Sequence, residues 1–200
     1  MAGIILAGGS AKRMGGVRKP LQLLAGKTLL DRVVEKLNPL FDELVLVTDC
    51  PSLYPSFPGL VVSDIHPGRG PVGGIEAGLR ATSDSVSFVC GCDMPFLNKD
   101  LICYMESYAS SYDIVIPRIG RFVEPLHAFY DRRTLDIIKT HLEQGYHRLG
   151  SLLVAPLSVY HINEDITRKF DPLLLSFFNI NTWTDLELAH TLLEAKSDVK

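Results

Sequence analysis

The chain has 200 residues, 46% apolar and 22% charged, with a formal net charge of -3 and a pI of about 6.1. That balance excludes a disordered or fibrous polypeptide and argues against a general nucleic-acid binder, which needs a basic face. The length suits a single domain, 1–200, whose core buries roughly 70% of the surface the unfolded chain exposes.

Short apolar runs alternate with helical patterns, which predicts a mostly parallel sheet covered by helices. The first run, GIILAG (3–8), opens into the loop GGSAKRMGGVRK. TLLDRVVEKL (28–37) puts Leu29, Leu30, Val33, Val34 and Leu37 on one stripe and reads as a helix. Strands ELVLVTD (43–49) and LVVSD (60–64) follow, then the helical pattern GGIEAGLRA (73–81). SVSFVCGCD (85–93) is the strongest apolar strand. Next come the helix KDLICYMESYA (99–109) and the strand DIVIPR (113–118). From about 119, GRFVEPLHAFY reads as a turn and an antiparallel return strand, PLHAFY (125–130). RRTLDIIKTHLEQG is a helix with Gly145 as its stop, LSVYHI (157–162) a strand, and TDLELAHTLLEAK a last helix capped by Thr182 or Thr184. No linker interrupts the series. Right-handed crossovers place the ligand site beyond the carboxyl ends of the strands, with Gly8, Asp49, Asp64 and Asp93 along one rim.

The N-terminal apolar run before Gly8 is too short for a signal peptide, and no stretch approaches an uncharged membrane span, so a cytoplasmic protein is expected. Cys50, Cys90, Cys92 and Cys103 form neither a disulfide framework nor the paired spacing of a zinc site. Cys90 and Cys92, two apart on a strand, share one face and read as small core residues rather than metal ligands.

Two stretches carry chemistry. After the first strand, LAGG lets backbone N–H groups approach an anion, and the nearby Lys and Arg can neutralise it. That suits phosphate, although the loop matches neither the Walker P-loop nor G-x-G-x-x-G; a solvated glycine-rich turn is the alternative, and the loop's place directly after the first buried strand favours function over it. CDMPF (92–96) sets Asp93 at the carboxyl end of a central strand, where it suits Mg²⁺ shared with substrate phosphates. As a helix cap, Asp93 would compete with Lys99 and Asp100, which lie closer to the helix. A third stretch, GRGPVG (68–73), formally fits G-x-G-x-x-G with Asp93 beyond it. Its approach through His66 and Pro67, and Pro71 within it, speak against a nicotinamide or flavin enzyme.

LAGGSAKRMGGVRKPL, GPVGGIEAGL, CDMPFL and FFNINTWTDL, in that order, resemble the nucleotidyltransferases, and most of all the molybdenum cofactor guanylyltransferase family, from about residue 3 to 190. The resemblance implies a Rossmann-like three-layer α/β/α fold, to which the residues from about 119 add the antiparallel return strand. It implies transfer of GMP from GTP to molybdopterin-bound molybdenum cofactor, release of pyrophosphate, and use of Mg²⁺. It implies that Leu6, Ala7, Gly8 and Gly9 bind the nucleotide through their backbone, that Lys19 and Arg13 meet its phosphates, and that Asp64 contacts the nucleotide. Asp93 would be shared by nucleotide and Mg²⁺. Gly73 and Gly74 would let a loop close over the site, and Asn179 and Asn181 would line the acceptor or metal side. The acceptor would be delivered by a cofactor-inserting protein and the product passed to a molybdoenzyme, with no nucleic acid or membrane partner. The chain departs from the family at Arg18, where Asp is frequent, at Thr48, where Asn is frequent, and at Glu124-Pro125, where many members have His-Pro. Rival readings are a cytidylyltransferase of the same cofactor, a sugar-phosphate nucleotidyltransferase, and a nucleotide-sensing module that has lost turnover. The sensor predicts missing catalytic charges, whereas Lys19 and Asp93 are both present.

Overall fold

The computed structural model describes residues 1–8, 18–64, 68–153 and 155–197. The strands are β1 (Ala2–Leu6), β2 (Leu23–Leu24), β3 (Lys27–Thr28), β4 (Glu43–Val47), β5 (Leu60–Val62), β6 (Val86–Gly91), β7 (Ile114–Ile119), β8 (Phe122–Val123), β9 (His127–Asp131) and β10 (Val159–Asn163). The α-helices are α1 (Leu29–Leu37), α2 (Gly70–Ala81), α3 (Lys99–Ala109), α4 (Leu135–Glu143), α5 (Leu149–Leu152), α6 (Glu164–Phe170) and α7 (Trp183–Ser197). The main sheet has the order β10-β7-β9-β6-β1-β4-β5, with β8 paired to β7. β1 lies parallel to both β4 and β6, β4 parallel to β5, and β7 parallel to β10, while β9 runs antiparallel to β6 and β7. The carboxyl ends of β1, β4, β5 and β6 therefore meet on one rim, and β9 enters the sheet from that same rim.

The continuously apolar runs become strands covered on both faces, as parallel strands must be. On one face α1 and α3 bury Leu30, Val33, Leu37, Leu101 and Met105 against Ile5, Leu46, Phe88 and Phe129. On the other, α2 and α4 bury Val72, Ile75, Leu79, Ile138 and Leu142 against Ile4, Val45, Val89 and Ile116. The result is the expected three-layer α/β/α sandwich. A third, smaller core joins Leu24 and Leu29 to Phe96, Ile180, Leu186 and Ala189. Among the described residues no helix is long and apolar enough to cross a membrane.

Local chemistry explains most element ends. Thr28 caps α1 in a reciprocal capping box with Asp31, whose N–H donates to Thr28 Oγ1 at 3.0 Å. Gly145 stops α4 with a φ of +81°, a conformation that favours glycine. Thr182 rather than Thr184 caps α7, accepting from the Asp185 N–H at 3.1 Å.

Several boundaries move. α2 begins at Gly70, not 73, with Pro71 in its first turn, where a missing N–H costs nothing. Helix α4 begins only at Leu135, after a 3-10 turn over Arg132–Thr134 capped by Asp131. The return strand starts at His127, not 125, because the His127 N–H turns back to the Glu124 carbonyl at 3.1 Å. The β2–β3 hairpin and helices α5 and α6 were not evident in the sequence; they are two, four and seven residues long, too short for periodicity to register.

Candidate active site

Beyond the carboxyl ends of β1, β4, β5 and β6 lies an open cleft of about 850 Å³. Its floor is set by main-chain bonds that carry the ladder one residue past the strands: Ala7 N–H to Val47 O at 2.8 Å, Thr48 N–H to Val62 O at 3.0 Å and Cys92 N–H to Leu6 O at 3.0 Å. Leu6, Ala7, Gly8, Lys19, Asp64, Gly74 and Asp93 all line it. Gly9 and Arg13 lie outside the described residues.

The polar centre is Lys19. Its ammonium donates to Asp93 Oδ2 and to Asn181 Oδ1, each at 2.9 Å. The main chain of each partner is held independently of it. The Asp93 carbonyl accepts from the Ile180 N–H at 3.0 Å, which staples the end of β6 to the segment before α7. The Asn181 and Thr182 N–H groups both donate to Asp185 Oδ2, at 2.9 and 2.8 Å. These bonds, the one from Asn181 first, hold the Asp185 carboxyl below its ordinary range. Lys19 starts a 3-10 turn whose Pro20 is buried, so its backbone is anchored while its side chain reaches into the cleft.

The opposite wall is the amino end of α2. Arg69, its N-cap, makes no side-chain cap bond, and Gly70, Pro71 and Gly74 face the cleft, so the first-turn N–H groups and the helix dipole are presented to an anion. Gly73 and Gly74 stand inside this helix, as the helical pattern over 73–81 predicts, and not in the closing loop that the resemblance implied for them. A Cβ on Gly73 would meet Asp64 Oδ1 at 3.1 Å, and one on Gly74 would meet Leu6 Cδ2 at 3.3 Å. The small residues thus let helix, Asp64 and Leu6 share one wall, on the Asp64 side of the cleft. The GRGPVG glycines fall on the lead-in and first turns of this helix, where Gly68 and Gly70 have φ of +84° and +65°.

Asn179 is not drawn into the cluster: its Nδ2 donates to the Phe177 carbonyl at 3.3 Å. Cys90 and Cys92 are buried in the apolar layer with Phe88 and Met94, and burial pushes both thiols up, away from the reactive thiolate. Cys50, Tyr54 and Leu126 also line the cleft, and the sequence reading did not place them there. Arg18 crosses to Cys50, its Nη2 2.9 Å from the sulfur. Glu124 sits at the rim before β9. Burial raises its carboxyl above the usual range, partly offset by the Leu126 N–H, and the charge of Asp93 raises it further.

Two side-chain oxygens, Asp93 Oδ2 and Asn181 Oδ1, converge on one cationic point. An all-oxygen pair of this kind fits a hard cation that takes its remaining ligands from water and phosphate. Among the described residues no group of three or more His, Cys, Asp or Glu side chains forms a self-sufficient metal cage.

Residues 3–157 match the family model described as MobA-like NTP transferase domain. The chain is 36% identical over 196 residues to the molybdenum cofactor guanylyltransferase of Desulfosudis oleivorans, covering 98% of this chain and 96% of that protein. To the protein of the same name from Syntrophotalea carbinolica it is 40% identical over 187 residues, covering 92% and 88%. Among solved structures, molybdopterin-guanine dinucleotide biosynthesis protein A from Archaeoglobus fulgidus superposes with a TM-score of 0.85 at 31% identity, covering 98% of this chain and all of that one. A 4-diphosphocytidyl-2C-methyl-D-erythritol synthase from Anaerococcus prevotii, at 16% identity and a TM-score of 0.71, shares the fold.

Proposed function

The chain belongs to the MobA-like NTP transferase domain family, a nucleotidyltransferase by descent, and from that premise we propose that it transfers GMP from GTP to the molybdenum cofactor. An oxygen of the terminal phosphate of molybdopterin attacks the α-phosphorus, the bond from that phosphorus to the bridging oxygen breaks, and pyrophosphate leaves. The names of two relatives at 36% and 40% identity support guanine and this acceptor over cytosine or a sugar phosphate. The single observation carrying the chemistry is the Lys19 ammonium held between Asp93 and Asn181 at the mouth of the cleft.

Two anions must meet in this reaction, so charge neutralisation and alignment do most of the work. The Ala7–Gly8 backbone and the first turn of α2 receive the nucleotide, with Asp64 on the same wall. Lys19 meets the phosphates, as Arg13 would, and Gly9 would bind the nucleotide through its backbone. Asp93, with Asn181 beside it, would hold Mg²⁺, which when bound supplies positive charge against the triphosphate. No side-chain nucleophile is needed. In the cell the protein would work in the cytoplasm as one nucleotidyltransferase domain, taking its acceptor from a cofactor-inserting protein and passing its product to a molybdoenzyme.

Thermal unfolding with GTP, CTP, ATP or UTP, each with and without Mg²⁺, tests the assignment. GTP at about 100 times its Kd adds about 2.7 kcal/mol of stability. Larger Mg²⁺-dependent stabilisation by CTP would move the protein to the cytidylyl branch, and stabilisation without any GMP transfer would make it a sensor.

A further inference from the structure

Lys19 stands where a metal ion is wanted. Its ammonium is 2.9 Å from Asp93 Oδ2 and 2.9 Å from Asn181 Oδ1, the two oxygens that fit a hard cation at the cleft mouth. Mg²⁺ bound to Asp93 Oδ2 would lie about 2.1 Å from that oxygen, so metal and ammonium on the same oxygen could be no more than about 5 Å apart, +2 facing +1. The main chains that carry the two oxygens do not depend on Lys19 for their positions: the Asp93 carbonyl is stapled by the Ile180 N–H, and the Asn181 N–H by Asp185. Nor is the lysine locked in place. Its main chain is pinned through the 3-10 turn and the Gln22 N–H at 3.0 Å, but its side chain is about a quarter exposed, so it can leave by rotating, with no backbone movement.

We propose that Lys19 is a resident cation that occupies the metal seat in the nucleotide-free protein and yields it only when a triphosphate offers the ammonium other anions. Metal and nucleotide then bind cooperatively, because each arrives where the other has made room: the phosphates draw Lys19 off Asp93, and the vacated oxygens take the metal. Without nucleotide, ammonium and metal compete. The protein therefore does not hold free Mg²⁺ in an empty cleft, and the metal enters with its triphosphate. This rests on the reading of Asp93 as the metal-binding carboxylate.

The test is direct metal binding, without acceptor or turnover. Free Mn²⁺ is counted by electron paramagnetic resonance while it is titrated into wild type, Lys19→Met and Lys19→Arg, first without nucleotide. Lys19→Met keeps the apolar stem and removes the charge, and should bind Mn²⁺ about tenfold more tightly than wild type; Lys19→Arg should stay as weak as wild type. With GTP present, and with the Mn²⁺ held by free GTP subtracted from a protein-free titration, the advantage of Lys19→Met should disappear, because in wild type the phosphates have already drawn the ammonium off Asp93. Thermal unfolding confirms that the variants are folded, and Lys19→Gln replaces Lys19→Met if the latter is not. Mn²⁺ affinity in the nucleotide-free state that is equal to or weaker than wild type in the uncharged variant overturns the proposal. A separate titration of Asp93→Asn with Mn²⁺ and GTP isolates the premise. Unchanged metal binding there removes Asp93 from the metal site, a different outcome from failure of the Lys19 exchange.

Discussion

His127 provides a built-in test of how this core is assembled. It is fully buried at the start of β9, opposite Cys90 of β6, with its ring edge-on to Phe88 and Phe177 at 5.1 Å each. Neither ring nitrogen has a hydrogen-bond partner among the described residues. Burial alone lowers its pKa from 6.5 to about 3. The sign follows from which state binds the proton. Above pH 6.5 the ring is neutral in both states and contributes no pH dependence. Below that, the unfolded chain takes up a proton that the folded chain refuses, so stability falls as the pH drops from about 6.5 towards 3, by about 1.4 kcal/mol per pH unit. The full loss, about 5 kcal/mol, is of the order of a domain's whole stability. His161, also lowered by burial and by Arg118, acts in the same direction, whereas Asp113 and Asp185, held low by hydrogen bonds, lose their contributions only further into acid, below the ordinary carboxylate pKa. The perturbation that isolates His127 is His127→Leu, which replaces an unpaired polar ring by an apolar side chain of similar size and should change stability at pH 7 by less than about 1.5 kcal/mol. Urea unfolding of both proteins at pH 7.0, 6.0, 5.0 and 4.5 should show wild type losing about 2 kcal/mol more than the variant between pH 6.5 and 4.5. Parallel curves for the two proteins would refute the reasoning, since the ring would then be solvated or paired in the folded state.

Other perturbations address the cleft. Asp93→Asn should cut GMP transfer steeply and displace the Mg²⁺ titration to higher concentration while unfolding in the absence of ligand moves by less than about 1 kcal/mol, because the Lys19 pair it breaks is partly exposed; wild-type turnover with an unshifted Mg²⁺ curve would contradict the assignment. Gly73→Ala sets a methyl 3.1 Å from Asp64 Oδ1, so nucleotide affinity measured by calorimetry should fall several-fold with little change in melting temperature. Gly78→Ala, by contrast, brings its methyl to 2.4 Å from Ile4 Cγ2 and should cost about 1–3 kcal/mol of stability by overpacking, with nucleotide affinity per folded molecule unchanged.

The central strands were legible because parallel strands covered on both faces read as nearly continuous apolar runs: Val86–Gly91 is wholly buried and polar only at Ser87. The rim followed from the strands, and Leu6, Ala7, Gly8, Lys19, Asp64 and Asp93 do share one cleft. What could not be read was pairing across distance. Lys19 is 74 residues from Asp93 and 162 from Asn181, and no local pattern says that Asn181 meets the lysine while Asn179 turns to the Phe177 carbonyl. Gly73 and Gly74 were read correctly as helical from 73–81, and only the closing loop implied for them by the resemblance fails: tight packing of α2 on Leu6, Ile4 and Asp64 outweighs the poor helix propensity of its glycines and carries the helix back to Gly70. The hairpin escaped because its turn is Ala25-Gly26, both at positive φ, without the Asn-Gly or Asp-Gly that marks such turns.

The small core that joins Leu24 and Leu29 to Phe96, Ile180, Leu186 and Ala189 ties the first thirty residues to the last twenty of the described chain. During synthesis at about 5–20 residues per second, roughly 4–18 s separate the emergence of Asp93 from that of Asn181. Through that interval β1, β4, β5 and β6 have all been synthesised, yet the oxygen of Asn181 and the Ile180 staple on Asp93 are still missing. A message truncated before codon 180 would therefore yield a product that carries Lys19 and Asp93 but lacks the Ile180 staple and the Asn181 oxygen that complete their charge centre.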